Sequence, residues 1–269
     1  MGRVRRGFRL AALSWRVLRE QPSLLVVPLV ATVVQVAAAV TYILGIGEHR
    51  LDGGSTSAVI VKYFPLYFAV SLISAFASAV VVTAANARMS GAPVSLTSAI
   101  GRSLAVLPQL IGWSLLSATV GTLLRLIESR VPLAGRIITA IAGIVWSLAT
   151  FLAVPVVVLE KRQPLGTVRR SSRLFRARWG EALVSDGVCG LMVFVVALPL
   201  LALAFLAMAA SLLLGVVLAV GVAGGAIAVS SALNGIVLTA AYRFAAFGEV
   251  GGAFTEEDLG LAFRNRHGE

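Results

Sequence analysis

The chain has 269 residues, of which 58% are hydrophobic and only 13% charged. Soluble domains carry about 25% charged residues, and no polar interval here is long enough to bury a core of its own, which excludes a soluble domain of any size. The net charge of +11 would point to nucleic acid in a soluble protein, but these charges flank hydrophobic blocks, where membrane topology and anionic lipid account for them. No finger, helix-turn-helix pattern or aromatic-lined basic groove accompanies them, so nucleic acid is not an expected partner.

Residues 3–20 hold six arginines, with Phe8, Ala11, Trp15 and Leu18 on one side of a helix. The apolar segment Leu24 to Leu44 follows. Its 21 residues span about 30 Å at about 1.5 Å each, the thickness of a bilayer's hydrocarbon core. The apolar core of a signal peptide is only about 7–15 residues long, so an uncleaved first span is expected. A Gly- and Ser-rich loop, residues 45–57, leads to a second span over Val59 to Ala85. Tyr63, Phe64 and Tyr67 read as an interfacial aromatic belt, and Pro65 as a low-cost kink near the helix start.

A second unit begins at Pro93. The third span, Leu104 to Leu126, carries Gln109, Ser114, Ser117, Thr119 and Thr122 with Gly112 and Gly121. Small and hydroxyl residues let helices approach and hydrogen-bond, so this span is expected against neighbours rather than lipid. Arg125, Glu128, Arg130 and Arg136 surround the next turn. The fourth span runs from Ile137 to Leu159, with Pro155 near its cytoplasmic end.

Pro164 to Glu181, PLGTVRRSSRLFRARWGE, is the longest polar interval between hydrophobic blocks. On a helix, Leu165, Val168, Phe175 and Trp179 share one face and Arg169, Arg170, Arg173 and Arg176 the next. That pattern predicts a helix at the membrane–water boundary, with arginines on lipid phosphates and Trp179 as anchor. The fifth span covers Leu183 to Ala207 and the sixth Val216 to Ala241, where Gly221 and Gly225 form a small-xxx-small pair. A short polar tail, residues 248–269, ends the chain.

The pattern of the basic stretch echoes upstream. A shift of 157 places Arg16 on Arg173, Arg19 on Arg176, Leu18 on Phe175 and Phe8 on Leu165. A shift of 71 places Pro93 on Pro164, Arg102 on Arg173 and Leu104 on Phe175. Trp15, Arg16 and Arg19 therefore join Arg169, Arg170, Arg173, Arg176 and Trp179 as candidate lipid-interface residues. The fold expected is all-α: one polytopic domain over residues 1–247, with six spans and three repeats (5–85, 93–159 and 164–241). Each repeat is an interfacial helix followed by a transmembrane hairpin. With both termini inside, the inside segments hold 18 basic residues and the outside loops five, which predicts a cytoplasmic-membrane protein with both ends cytoplasmic.

No acid, base and nucleophile cluster points to catalysis, so no enzyme and no cofactor are expected. Glu48, His49 and Asp52 in a glycine-rich loop do not amount to a metal site, and Cys189 reads as a small core residue. Asp186 is read as an interfacial acid beside Arg176 or Arg178. The leading expectation is a basic cytoplasmic face that engages anionic lipid or a protein partner. The alternative is a transporter or permease subunit whose polar path is lined by Gln109, Ser117, Thr119 and Asn234.

Three phrases carry a family resemblance. They are Ser117-Ala118-Thr119-Val120-Gly121 with Arg125; Trp146-Ser147 with Thr150-Phe151 and Pro155; and Arg170-Ser171-Ser172 with Arg178-Trp179-Gly180-Glu181. Together they resemble an uncharacterised family of prokaryotic multi-spanning membrane proteins, a domain of unknown function, over roughly residues 5 to 247. The resemblance implies a helical integral membrane protein and supplies no catalytic residues.

Overall fold

The structure, a computed structural model, describes residues 22–46, 56–93, 95–130, 132–179, 197–201, 203, 205 and 211–248. A 3-10 turn, Pro22–Leu25, leads into α1, Val26–Ile46. Helix α2 is Thr56–Met89, α3 is Leu96–Leu104 and α4 is Leu107–Arg130. Helices α5, Pro132–Ala149, and α6, Ala153–Glu160, follow, then α7, Pro164–Trp179, and α8, Leu212–Phe247. The described residues are all-α. The arginine-rich segment with Trp15, Arg16 and Arg19, most of the block Leu183 to Ala207, and the tail lie outside them.

Five helical stretches are long and apolar enough to cross a membrane: Ser23–Tyr42, Val59–Met89, Leu107–Arg130, Gly135–Glu160 and Leu218–Phe247. They coincide with the expected first, second, third, fourth and sixth spans. Helix α2, with 34 residues, is about 51 Å long. That exceeds a hydrocarbon core of about 30 Å, so its ends reach the headgroup zones.

Helix α2 is the hub, packing against α1, α3, α4, α6 and α8. Its second half supplies Ala75, Ala79, Val80, Val81, Val82, Ala84 and Ala85 to the core, all buried. The alanines let neighbouring backbones approach. One buried cluster joins Val80, Val81 and Ala84 to Leu24, Ala99, Leu233 and Ile236; a second joins Ala79 and Val82 to Val106, Leu110, Trp113 and Val157. A third joins Leu152 and Val156 to Leu174, Ala241 and Tyr242. All three sit at the end where α2 and α8 finish and α4 begins. At the opposite end Leu44, Ile60, Ile127, Ile137 and Ile138 are exposed, an apolar surface suited to lipid.

Caps and prolines set the element boundaries. Gly91 ends α2 at φ +72°, with the Ala92 N–H reaching back to Ala87 O at 2.9 Å, a closure only a left-handed residue allows. Ser95 caps α3 by accepting the Ser98 N–H. Pro164 takes the first position of α7, where its missing N–H costs nothing. Inside α2, Pro65 leaves the Val61 carbonyl without its helical donor. The Tyr42 hydroxyl donates to that carbonyl at 2.9 Å, and to Lys62 O at 2.6 Å.

The expected fourth span differs from the structure. Ile137 to Leu159 is not one helix: it breaks over Thr150–Leu152. Pro155 has no N–H, and its ring crowds the carbonyl four residues back, at Phe151. The chain instead makes tighter bonds, Phe151 N–H to Leu148 O at 3.4 Å and Ala153 N–H to Thr150 O at 2.9 Å. The buried Leu152 N–H finds its acceptor in α7, on Ser171 Oγ at 3.1 Å.

Among the described residues, a Cβ on Gly221 or Gly225 would meet nothing within 4 Å, and most of the block Leu183 to Ala207 lies outside them. Close approaches occur at Gly235, whose Cβ position lies 2.6 Å from Val81 Cγ1, and at Gly112 and Gly121 of α4, 2.9 Å from Pro164 Cγ and 3.1 Å from Tyr67 Cδ2.

Candidate functional site

Helix α7 folds back antiparallel to α6. Ser171 reaches Leu152, and Phe175 meets Phe151 edge-on at 5.8 Å between ring centres. Its inward side is Thr167, Ser171 and Leu174, at spacings of four and three, all buried. Val168 packs on the second cluster and Phe175 on the third. Leu165, expected on the apolar stripe, is 66% exposed. The small hydroxyl residues, rather than the longest apolar ones, form the seam with the bundle.

Arg169, Arg173 and Arg176 lie on the opposite side at the same helical spacing and are exposed. Arg170 is placed differently. It is half-buried, and its Nε donates to Glu160 Oε1 at 2.9 Å. The backbone of Trp179 closes α7.

Glu160 is the centre of this end of the molecule. It accepts from Arg170 in α7, from the Nε of Arg162 in the connecting turn, and from the Tyr242 hydroxyl in α8 at 2.9 Å. Its side chain is only 16% exposed. Three elements are thereby tied to one carboxylate by charge-assisted bonds. Nearby, Arg243 Nη1 donates to Asn86 Oδ1 at 3.0 Å and Ser90 Oγ at 2.7 Å, fastening α8 to the end of α2. Among the described residues the only acids are Glu128 and Glu160. Glu128 lies at the other end, where it pairs with Arg125 at 2.7 Å. There Arg125 also sits over the Tyr63 ring, 5.2 Å from its centre.

The residues expected to line a polar path are spread along two helices that both pack on α2. Gln109 and Ser117 are half-buried in α4. Thr119 is exposed and donates to Leu115 O within its own helix, and Asn234 is exposed on α8. The inward face of α4 is instead Leu110, Ser114, Ala118 and Thr122. Gln109 Oε1, Ser114 Oγ and Thr122 Oγ1 are buried with no hydrogen-bond partner among the described residues. Among those residues no three His, Cys, Asp or Glu side chains come together.

Glu160 and Tyr242 escaped the sequence reading. The available signal was an acid closing an apolar block directly before Lys161 and Arg162, with a tyrosine directly before the arginine that ends the last span. Nothing in the spacing of positions 160 and 242 announces that they meet.

Helix α2 and the four other apolar stretches of crossing length packed against it define a multi-span integral membrane protein. Within that class the chain belongs to DUF6159, a family of unknown function, whose model matches residues 55–252. The match begins just before α2, later than the start near residue 5 implied by the resemblance, and leaves α1 outside. No curated protein and no solved structure matches the chain.

Proposed function

We propose that this protein is a non-enzymatic component of the cytoplasmic membrane, with both termini cytoplasmic, whose α7 engages the phosphates of anionic lipid headgroups. The observation that carries this is the division of α7: Thr167, Ser171 and Leu174 are buried in the bundle, while Arg169, Arg173 and Arg176 face outward. Guanidinium groups in a row suit phosphate, because each presents a planar fork of donors. The block Leu183 to Ala207 is taken as a further span, which makes six.

Three similar units remain the simplest plan. Helices α3 and α7 each bury a pair of small residues four apart, Ala99 with Ser103 and Thr167 with Ser171, against the span before them. Ser103 Oγ lies 3.4 Å from Thr83 Oγ1, as Ser171 Oγ meets Leu152 N. Thr167 follows Ala99 by 68 positions, a structural register three residues shorter than the 71-residue shift.

Each basic side chain near an anionic surface contributes about 1 kcal/mol. Replacing Arg169, Arg173 and Arg176 together with Gln is therefore expected to reduce preference for anionic lipid by tenfold or more. The readout is the ratio of phosphatidylglycerol to phosphatidylcholine retained on protein purified from mixed bilayers. An unchanged ratio on a folded triple variant rejects the reading.

A second reading, a transporter or permease subunit, has one observation in its favour: the polar atoms of Gln109, Ser114 and Thr122 along α4, buried without a partner among the described residues. Water between α4 and a neighbour would satisfy them. Its candidate path runs through Gln109, Ser117, Thr119 and Asn234.

A further inference from the structure

We propose that Arg162, Arg170 and Tyr242 form an anion cradle that the chain's own Glu160 keeps closed, and that a phosphate of an anionic lipid headgroup competes with Glu160 for it. This rests on the reading of α7 as a headgroup face and adds its regulation.

Three donors from three separate elements converge on one carboxylate: two guanidinium Nε groups and a phenol. Such a set holds a phosphate oxygen as readily as a carboxylate oxygen. The cradle also has a rim. The side chain of Arg162 is 48% exposed and that of Arg170 27%, and Arg170 lies between the outward Arg169 and Arg173 on the same helix. Glu160 is poorly placed by its own backbone. It is the last residue of α6, where the helix dipole disfavours an acid. The next residue, Lys161, turns through the left-handed region at φ 52°, which carries a penalty for a side chain with a Cβ. The carboxylate is thus held by its donors rather than by its helix, and a second anion offers those donors an alternative. No other acid among the described residues lies at this end to replace it.

The probe is a mixed bilayer of phosphatidylglycerol and phosphatidylcholine, and the readout is the ratio of the two lipids retained by the full chain. Glu160→Gln is expected to raise that ratio about fivefold. Adding Arg162→Gln and Arg170→Gln is expected to abolish the gain. Glu128→Gln, which removes an Arg-paired acid at the opposite end, is expected to leave the ratio unchanged. A purely structural clamp would alter stability in Glu160→Gln without altering lipid preference. Glu160→Asp keeps the charge but shortens its reach, and its intermediate gain keeps the test readable should the Gln variant fail to accumulate.

An unchanged or lowered ratio in folded Glu160→Gln or Glu160→Asp overturns the proposal. So does a gain that survives loss of both arginines. Stabilisation of Glu160→Gln by millimolar inorganic phosphate, with no change in lipid ratio, assigns the cradle to free phosphate and overturns the lipid claim. If the Arg169, Arg173 and Arg176 triple variant behaves as wild type while the Glu160→Gln gain persists, the outer face of α7 fails and the cradle stands.

Discussion

Replacing Gly235 with alanine is expected to destabilise the bundle by about 1–3 kcal/mol, the usual cost of forcing a methyl into a packed core. The new Cβ would lie 2.6 Å from Val81 Cγ1 and 3.1 Å from Val81 Cβ. Val81 cannot move aside: it is β-branched on a helix, with essentially one χ1 rotamer, and 1% exposed. The relief must come from separating α8 from α2, which opens the cluster of Val80, Val81, Ala84, Leu233 and Ile236. Gly221→Ala, on the same helix with no described residue within 4 Å, is the control. It gains helix propensity of up to about 1 kcal/mol and is expected to be neutral or stabilising. Denaturation of the purified variants in mixed micelles measures the difference. Equal stability of the two alanine variants would refute the close approach of α2 and α8.

Ser171→Ala is expected to cost about 1–2 kcal/mol, and to cost it through a proline sixteen residues upstream. The hydroxyl accepts the N–H of Leu152, both groups being buried. That N–H would serve Leu148 in a continuous helix, but Pro155 has broken the helix there. Without Ser171 it is orphaned, and a buried unsatisfied donor costs about 1–3 kcal/mol. Side-chain hydrogen bonds within membranes average about 0.6 kcal/mol and reach about 1.7, so the lower part of the range is the better expectation. In a Pro155→Ala background the helix can close and the penalty is expected to fall below about 0.5 kcal/mol. The same penalty in both backgrounds would mean that Ser171 acts by packing alone.

The sequence shows where the apolar blocks lie more clearly than which face of each is buried. Lipid and protein neighbours are both apolar, so hydrophobic periodicity does not separate a lipid-facing side from a packed one. The bounds of α7 were legible because Pro164 starts a helix well and the basic run continues to Trp179. Its orientation was not: Leu165 was expected on the apolar stripe and is exposed, while Thr167 and Ser171 are buried. The break before α6 was half legible. Pro155 warned of a fault, but its repair by Ser171 is a long-range pairing. Gly112 and Gly121 were legible as packing glycines of α4 and do meet Pro164 and Tyr67 closely, whereas the tightest approach, at the isolated Gly235, had no motif to mark it. Arg170 looked like its neighbours until the fold brought Glu160 beneath it. That contact, with Tyr242 completing it from 82 positions away, is what local spacing could not reveal.

The central claim is that the outward face of α7, and not a path through the bundle, is the working surface. Single-cysteine labelling in intact membranes tests it most directly. With Cys189 replaced by alanine, one cysteine is placed at a time at Gln109, Ser117, Thr119, Asn234 or Ala177, the last exposed on α7 beside Arg173 and Arg176. A small membrane-impermeant thiol reagent is then applied from each side. Labelling at 177 alone, and only from the cytoplasmic side, is the predicted result. Labelling at several of 109, 117, 119 and 234 would show a water-filled route, and labelling at 177 from the outside would invert the topology; either contradicts the claim.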